Sequence, residues 1–314
     1  MMNLFFDYLQ ELKQAAFGGW DRFWFTPDSG QTLALIRVLA GAMLLYTHAV
    51  WSLDLAGFFS NTGRISSEFA DLFHDHPMAW SYLSAIQSPA LLWATHLAAL
   101  AVFLLLMLGL WTRVVSVLAF LIAISYVHRA PAALFGLDQI NCLLAFYLAV
   151  GDAGAHFSID SFLRQRQGRP IKPAISSNIA IRLIQCHMCV IYLFAAMGKL
   201  QGSTWWEGSA MWLALANLEY QSIDMTWLAR WPRLIEFMSQ VTIAWELSYI
   251  VLIWNRWTRP LVLALAIPLH LGIAFCMGMI TFGLIMLVGN LAFVPASVVT
   301  AFWPGANNRT GAPE

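Results

Sequence analysis

The sequence predicts an all-α, polytopic transmembrane helical bundle of about eight spans with an N-terminal interfacial helix, and three observations predict it. Of the 314 residues, 60% are hydrophobic and only 11% are charged, with a mean hydropathy of +0.66. A soluble domain carries about 25% charged residues and lacks repeated apolar runs near 20 residues long, whereas such runs recur along this whole chain. The third observation is a total of fifteen tryptophans, many of them (Trp51, Trp93, Trp111, Trp205, Trp254) near the ends of those runs, at the headgroup level that tryptophan prefers.

Taken in order, residues 1–30 form an amphipathic segment in which Leu4, Phe5, Tyr8, Leu9 and Leu12 recur at helical spacing among Asp7, Glu11 and Lys13. It lacks the features of a secretory signal and reads as a helix lying along the membrane, ended by Thr26, Pro27 and Asp28. Residues 31–300 form the membrane domain. Its first span runs near 33–53 and is followed by a long polar segment with a surface helix expected around Ser66 to Phe73; the HDH at 74–76 is a weak metal-ligand pattern. Spans two and three, near 90–110 and 114–128, are joined by a short turn, and span four runs near 134–150. A connection rich in basic residues (Arg164, Arg166, Arg169, Lys172) leads to span five, which ends at Lys199; spans six to eight lie near 234–254, 260–277 and 281–295. Residues 301–314 are expected to be a polar, disordered tail.

The placement of basic residues orients this array. With a cytoplasmic N-terminus, Lys13, Arg22, Arg113, the 164–172 cluster, Arg256, Arg259 and Arg309 fall inside, and only Arg64, Arg129, Lys199, Arg230 and Arg233 fall outside. The balance of 17 basic against 17 acidic residues gives no case for nucleic acid. All four cysteines, Cys142, Cys186, Cys189 and Cys276, lie inside apolar runs, so they read as packing residues; the CxxC of Cys186 and Cys189 falls mid-span, away from the accessible helix start that redox motifs use. No metal site is expected.

Span five carries the chemistry. Gln185, Cys189, Tyr192, Ala196 and Lys199 recur at steps of four and three and share one helix face, while Ile184, Ile191, Leu193 and Phe194 are expected to face lipid. An ionisable group turned into a membrane bundle is a functional candidate, although a lysine at a helix end can also snorkel to the interface as an anchor. Other polar residues gather in the spans: Asp138 and Asn141 on one face of span four; Ser239, Thr242, Glu246 and Tyr249 along span six; His270 just after Pro268 in span seven; and His48, His96 and His187. Each could be satisfied by a neighbouring helix, with Asp138 or Glu246 pairing to Arg129, Arg182 or a lysine. Together they describe a polar cavity opening away from the cytoplasm, with a base-capable lysine and a lining of Trp and Tyr suited to a flat apolar ligand.

The segment FAAMGKLQGSTWWEGSAMW, residues 194–212, resembles the lysine-containing segment of the vitamin K-dependent gamma-glutamyl carboxylase, whose bacterial relatives form the HTTM (horizontally transferred transmembrane) domain family. YVHRAPAALFGLDQINCLLAFYLAVGD, from Tyr126, and LHLGIAFCMGMITFGLIMLVGNLAFVP, from Leu269, look similar to two further stretches of that family. The resemblance implies a bacterial inner-membrane protein that uses a reduced quinone of the menaquinol or vitamin K hydroquinone type. It implies Lys199 as the base that deprotonates the quinol, with His128 and His270 positioning or stabilising groups around it, and Tyr192, Trp205, Trp206, Glu207, Asp138, Asn141 and Glu246 as the binding set. Burial disfavours an ammonium, which is how a lysine becomes a base near neutral pH. Two departures qualify the match: Gly198 stands where the animal enzyme has a second lysine, and the chain is expected to hold the membrane core without the large domain that docks protein substrates. Two functions follow: a quinone-linked, carboxylase-like or epoxidase-like membrane enzyme, or a non-enzymatic accessory, export or immunity factor that binds a secreted peptide or lipid in the polar cavity.

Overall fold

The apolar runs fold as helices that cross back and forth beside one another. A computed structural model describes residues 2–73 and 79–301, and no strand occurs among them. Nine long helices occur among the described residues: α1 (Met2–Phe25), α2 (Gln31–Trp51), α3 (Pro89–Leu108), α4 (Thr112–Arg129), α5 (Gly136–Val150), α6 (Ile175–Leu200), α7 (Pro232–Leu252), α8 (Arg259–Cys276) and α9 (Ile280–Asn290). Among the described residues, five stretches are long and apolar enough to cross a membrane: α3, α4, α6, α8 and residues 31–59, in which α2 continues through a short 3-10 turn into the helix Leu55–Phe59. The apolar helices α5 and α9 are shorter, and α7 has the length but carries Arg233, Glu236 and Glu246. The expected surface helix is present as Ser67–Asp71, capped by the Ser66 hydroxyl. The HDH at 74–76 and the tail from 302 lie outside the described residues.

Among the described residues, burial forms two large cores that meet along α2 and α5, and a small third one of Leu215, Leu228 and Ile235. The larger gathers Leu33, Ile36, Leu144, Leu148, Ile184, Met188, Tyr192, Tyr249, Ile285 and Phe293 from α2, α5, α6, α7 and α9. The other joins α2, α3 and α4 to the 55–86 segment through Leu44, Leu55, Phe59, Leu83, Phe103 and Leu106. On α6 the stripe of Gln185, Cys189, Tyr192 and Ala196 is buried, while Val190, Phe194 and Met197 are exposed. Ile184 corrects the expected lipid face. It is buried, because positions 181, 184, 188 and 192 form a second row beside the polar one and the interior face is wider than a single stripe. All four cysteines carry free thiols.

Arg37 pins the end of the bundle where α2 begins. Its guanidinium is fully buried and donates to the carbonyls of Leu106 and Met107, which end α3, and of Ala153 and Phe157 in the following connection. The carbonyls at a helix end have no intrahelical partners, so one rigid fork of donors satisfies several at once. Gly109, at φ +70°, turns the chain beside this guanidinium, where a β-carbon would strike it. Asp160 completes the turn by accepting from the backbone of Trp111 and Thr112 and from the Thr112 hydroxyl, which caps α4.

Candidate functional site

The polar face of α6 ends at Lys199, and α7 supplies what meets it. Lys199 Nζ lies 2.8 Å from both oxygens of Glu246, with hydrogen-bond geometry to Oε1. The lysine side chain is 22% exposed and the glutamate 7%, so the pair is mostly shielded from water. The ammonium also stands 5.3 Å from the ring centroid of Trp205, within cation–π range. Trp205 is held in place by α7: its carbonyl accepts from Gln240 Nε2 at 2.9 Å. One residue earlier, the Ser239 hydroxyl accepts from the Met211 amide and donates to the Gly208 carbonyl of the same connection. The row 239, 242, 246, 249 on α7 therefore binds the 202–211 turn at one end and faces α6 at the other.

Deeper in the bundle, the Tyr192 hydroxyl lies 2.7 Å from His270 Nε2 and 2.7 Å from Asn290 Nδ2. Asn290 Nδ2 also donates to the Met286 carbonyl, and Asn290 Oδ1 accepts from the Tyr249 hydroxyl. Trp245 meets Tyr192 edge-to-face and Tyr249 lies tilted against it, with centroids 4.9 and 4.3 Å away. His270 is buried, lies within electrostatic range of Lys199, and has no partner for Nδ1 among the described residues. α9 reaches this close to His270 because position 283 is glycine: a β-carbon there would collide with the His270 carbonyl.

A family model for the HTTM domain matches residues 25–297. The chain belongs to the HTTM domain family. No curated protein and no solved structure matches the chain. The HTTM match spans α2 to α9 and so contains the whole Lys199 cluster.

Within the HTTM domain, the sequence-predicted residues fall into separate places. Lys199, Glu246, Tyr192, His270 and Trp205 come together. Trp206 is 64% exposed, with its indole nitrogen bonded to the Leu200 carbonyl. Glu207 borders a surface hollow of about 430 Å³ with Arg233 and Glu236. At the end of α4, His128 Nδ1 lies 2.9 Å from the Trp80 carbonyl. Asp138 accepts from the Phe135 backbone and so caps α5. Asn141 is buried with both amide atoms unpartnered, and it borders a small cavity of about 20 Å³ with His48, Tyr126 and Asp138. Neither carboxylate pairs with an arginine as the sequence allowed: Glu246 takes Lys199, while Arg182 bonds the Phe23 carbonyl and Gln185 Oε1. His48 and His96 belong to this second cluster, where His96 bridges Ser52 and Tyr126.

Sequence reasoning passed over Asn290 and Trp245. A lone amide in the eleven-residue apolar helix α9 is the signal that would have found Asn290, since a polar group there must have an internal partner. Trp245 gave no signal apart from the other membrane tryptophans, because its role depends on the crossing of α6 and α7.

Proposed function

We propose that this HTTM protein is an enzyme of the bacterial plasma membrane that deprotonates a lipid-soluble, quinol-like substrate at the Lys199 end of the bundle, which faces away from the cytoplasm. The observation that carries this reading is the Lys199–Glu246 pair, which stands against Trp205 in the same buried cluster as the unsatisfied Nδ1 of His270. These residues fit the edge of a quinol: an aromatic face from Trp205, one proton-accepting group, and one buried nitrogen awaiting a polar partner. A bound quinol supplies an acidic phenolic hydroxyl and, toward oxygen, two electrons.

The residues' own part is proton handling. Transfer of a proton from Lys199 Nζ to Glu246 within the pair converts the resting ion pair into two neutral groups, a step that costs less in a low-dielectric site than in water. The neutral amine can then accept a proton at Nζ, and the ammonium that results is held over the Trp205 face beside the anion it has generated. Glu246 thus acts as the reservoir that lets Lys199 arrive unprotonated, and Gln240 holds Trp205 where the returning charge needs it.

The test is extraction of protein purified in mild detergent, followed by mass analysis for quinones. A quinone retained near one per chain in the wild type, and lost in Trp205→Ala, is the expected result. Quinone no more abundant than in an unrelated membrane protein purified in parallel overturns the reading and favours the accessory-factor alternative.

A further inference from the structure

The hydrogen bonds around Tyr192 have only one consistent direction. The Met286 carbonyl can only accept, so the Asn290 atom 2.9 Å from it is the amide nitrogen, and Asn290 Oδ1 is left to accept from Tyr249. The same amide nitrogen donates to the Tyr192 oxygen at 2.7 Å, which leaves the single proton of Tyr192 free to point at His270 Nε2, also at 2.7 Å. His270 Nε2 is then an acceptor, and the neutral ring carries its proton on Nδ1. The reverse arrangement, with Nε2–H donating to Tyr192, would strand the tyrosine proton and also leave Nδ1 as a bare acceptor. That makes two unsatisfied buried positions where the first arrangement leaves one.

We infer that Asn290 is a positioning residue that fixes His270 as a neutral Nδ1–H donor for an acceptor oxygen on the molecule bound beside Lys199. The ligand half of this inference rests on the proposed site; the tautomer half does not. Nδ1 is buried and has no partner among the described residues, and a buried donor left unpaired keeps its full desolvation penalty, so a site that keeps one has a use for it. A neutral N–H beside an ammonium suits a carbonyl or phenolate oxygen, because it can stabilise developing negative charge without competing for the proton. Tyr249 plays no part in setting the direction, since the Met286 carbonyl alone orients the Asn290 amide.

The experiment is nitrogen NMR of histidine-labelled protein in lipid nanodiscs, with His270 assigned by its disappearance in His270→Gln. The wild type is expected to show a proton on Nδ1 and none on Nε2. Tyr249→Phe should keep that signature, while Tyr192→Phe and Asn290→Leu should lose the single-tautomer signal. A wild-type proton on Nε2, or an unchanged single tautomer in Asn290→Leu, overturns the assignment. The wild-type spectrum alone decides the tautomer, and a proton on Nε2 there overturns the inference even if every variant fails to fold. Addition of a soluble naphthoquinol should then shift the Nδ1–H resonance. The expected tautomer with no such shift supports the relay and overturns the quinol reading, so the two failures are distinguishable.

Discussion

Lys199 on α6 and Glu246 on α7 close on each other with Nζ 2.8 Å from both carboxylate oxygens, at the point where the interior face of α6 ends. The lysine is therefore not a lone buried charge. The pair also ties α6 to α7 below the turn that α7 holds through Ser239 and Gln240.

Breaking this pair from one side should be costly. Glu246→Gln is expected to lose about 3 kcal/mol, because it leaves an ammonium in a site mostly closed to water. Lys199→Met combined with Glu246→Leu should lose much less than the two single losses added together. Denaturant titration in detergent, followed by tryptophan fluorescence, measures the coupling, and strictly additive losses would mean that the pair is not formed.

Arg37 should prove among the least replaceable residues of the chain. Its one guanidinium serves four carbonyls from two segments, so Arg37→Met is expected to cost about 4 kcal/mol and Arg37→Lys nearly as much, since an ammonium cannot reproduce the fork. Thermal unfolding of purified variants checks this, and a Tm for Arg37→Lys equal to wild type would contradict it.

Gly283→Ala should push α9 off α8 at the His270 carbonyl and disturb the Asn290–Tyr192–His270 bonds. Overpacking of this kind costs about 1–3 kcal/mol. The expected signature is a lowered Tm together with loss of the single His270 tautomer, while Gly272→Ala, where a β-carbon meets nothing, should be silent in both.

The α6 stripe was legible because helical period alone puts 185, 192 and 199 on one side, and the ends of the long helices followed from Pro, Gly and Trp positions. Ile184 was misplaced because a helix packed on several neighbours buries a face wider than one row. Arg37 and Asn290 gave weaker signals for a different reason: the acceptors of Arg37 lie 69 to 120 residues along the chain, and the partners of Asn290 on α6 and α7 lie 98 and 41 residues away. Sequence periodicity reports which way a residue faces on its own helix but not which helix it meets. For that reason the ten site residues read from sequence could not be divided into the Lys199 cluster, the Asn141 cavity, the α4 end that holds His128 and the surface positions of Trp206 and Glu207 before the helices were assembled.

The proposed orientation predicts that Lys172 and the 164–169 arginines face the cytoplasm. A single cysteine at Arg166→Cys, in a background with the native cysteines replaced by alanine, should react with an impermeant maleimide only after the cells are opened. Labelling in intact cells would invert the bundle and place Lys199 on the cytoplasmic side.

The most direct test of the central claim compares Lys199→Arg with wild type for oxygen uptake in proteoliposomes supplied with a reduced naphthoquinol. Arginine keeps the charge, the pairing to Glu246 and the reach over Trp205, but its guanidinium does not deprotonate in proteins. The account predicts that Lys199→Arg folds with a Tm close to wild type and loses quinol-dependent oxygen uptake at least about 100-fold, the scale expected for a general base. Full uptake in Lys199→Arg would contradict it and leave Lys199 as a structural cation.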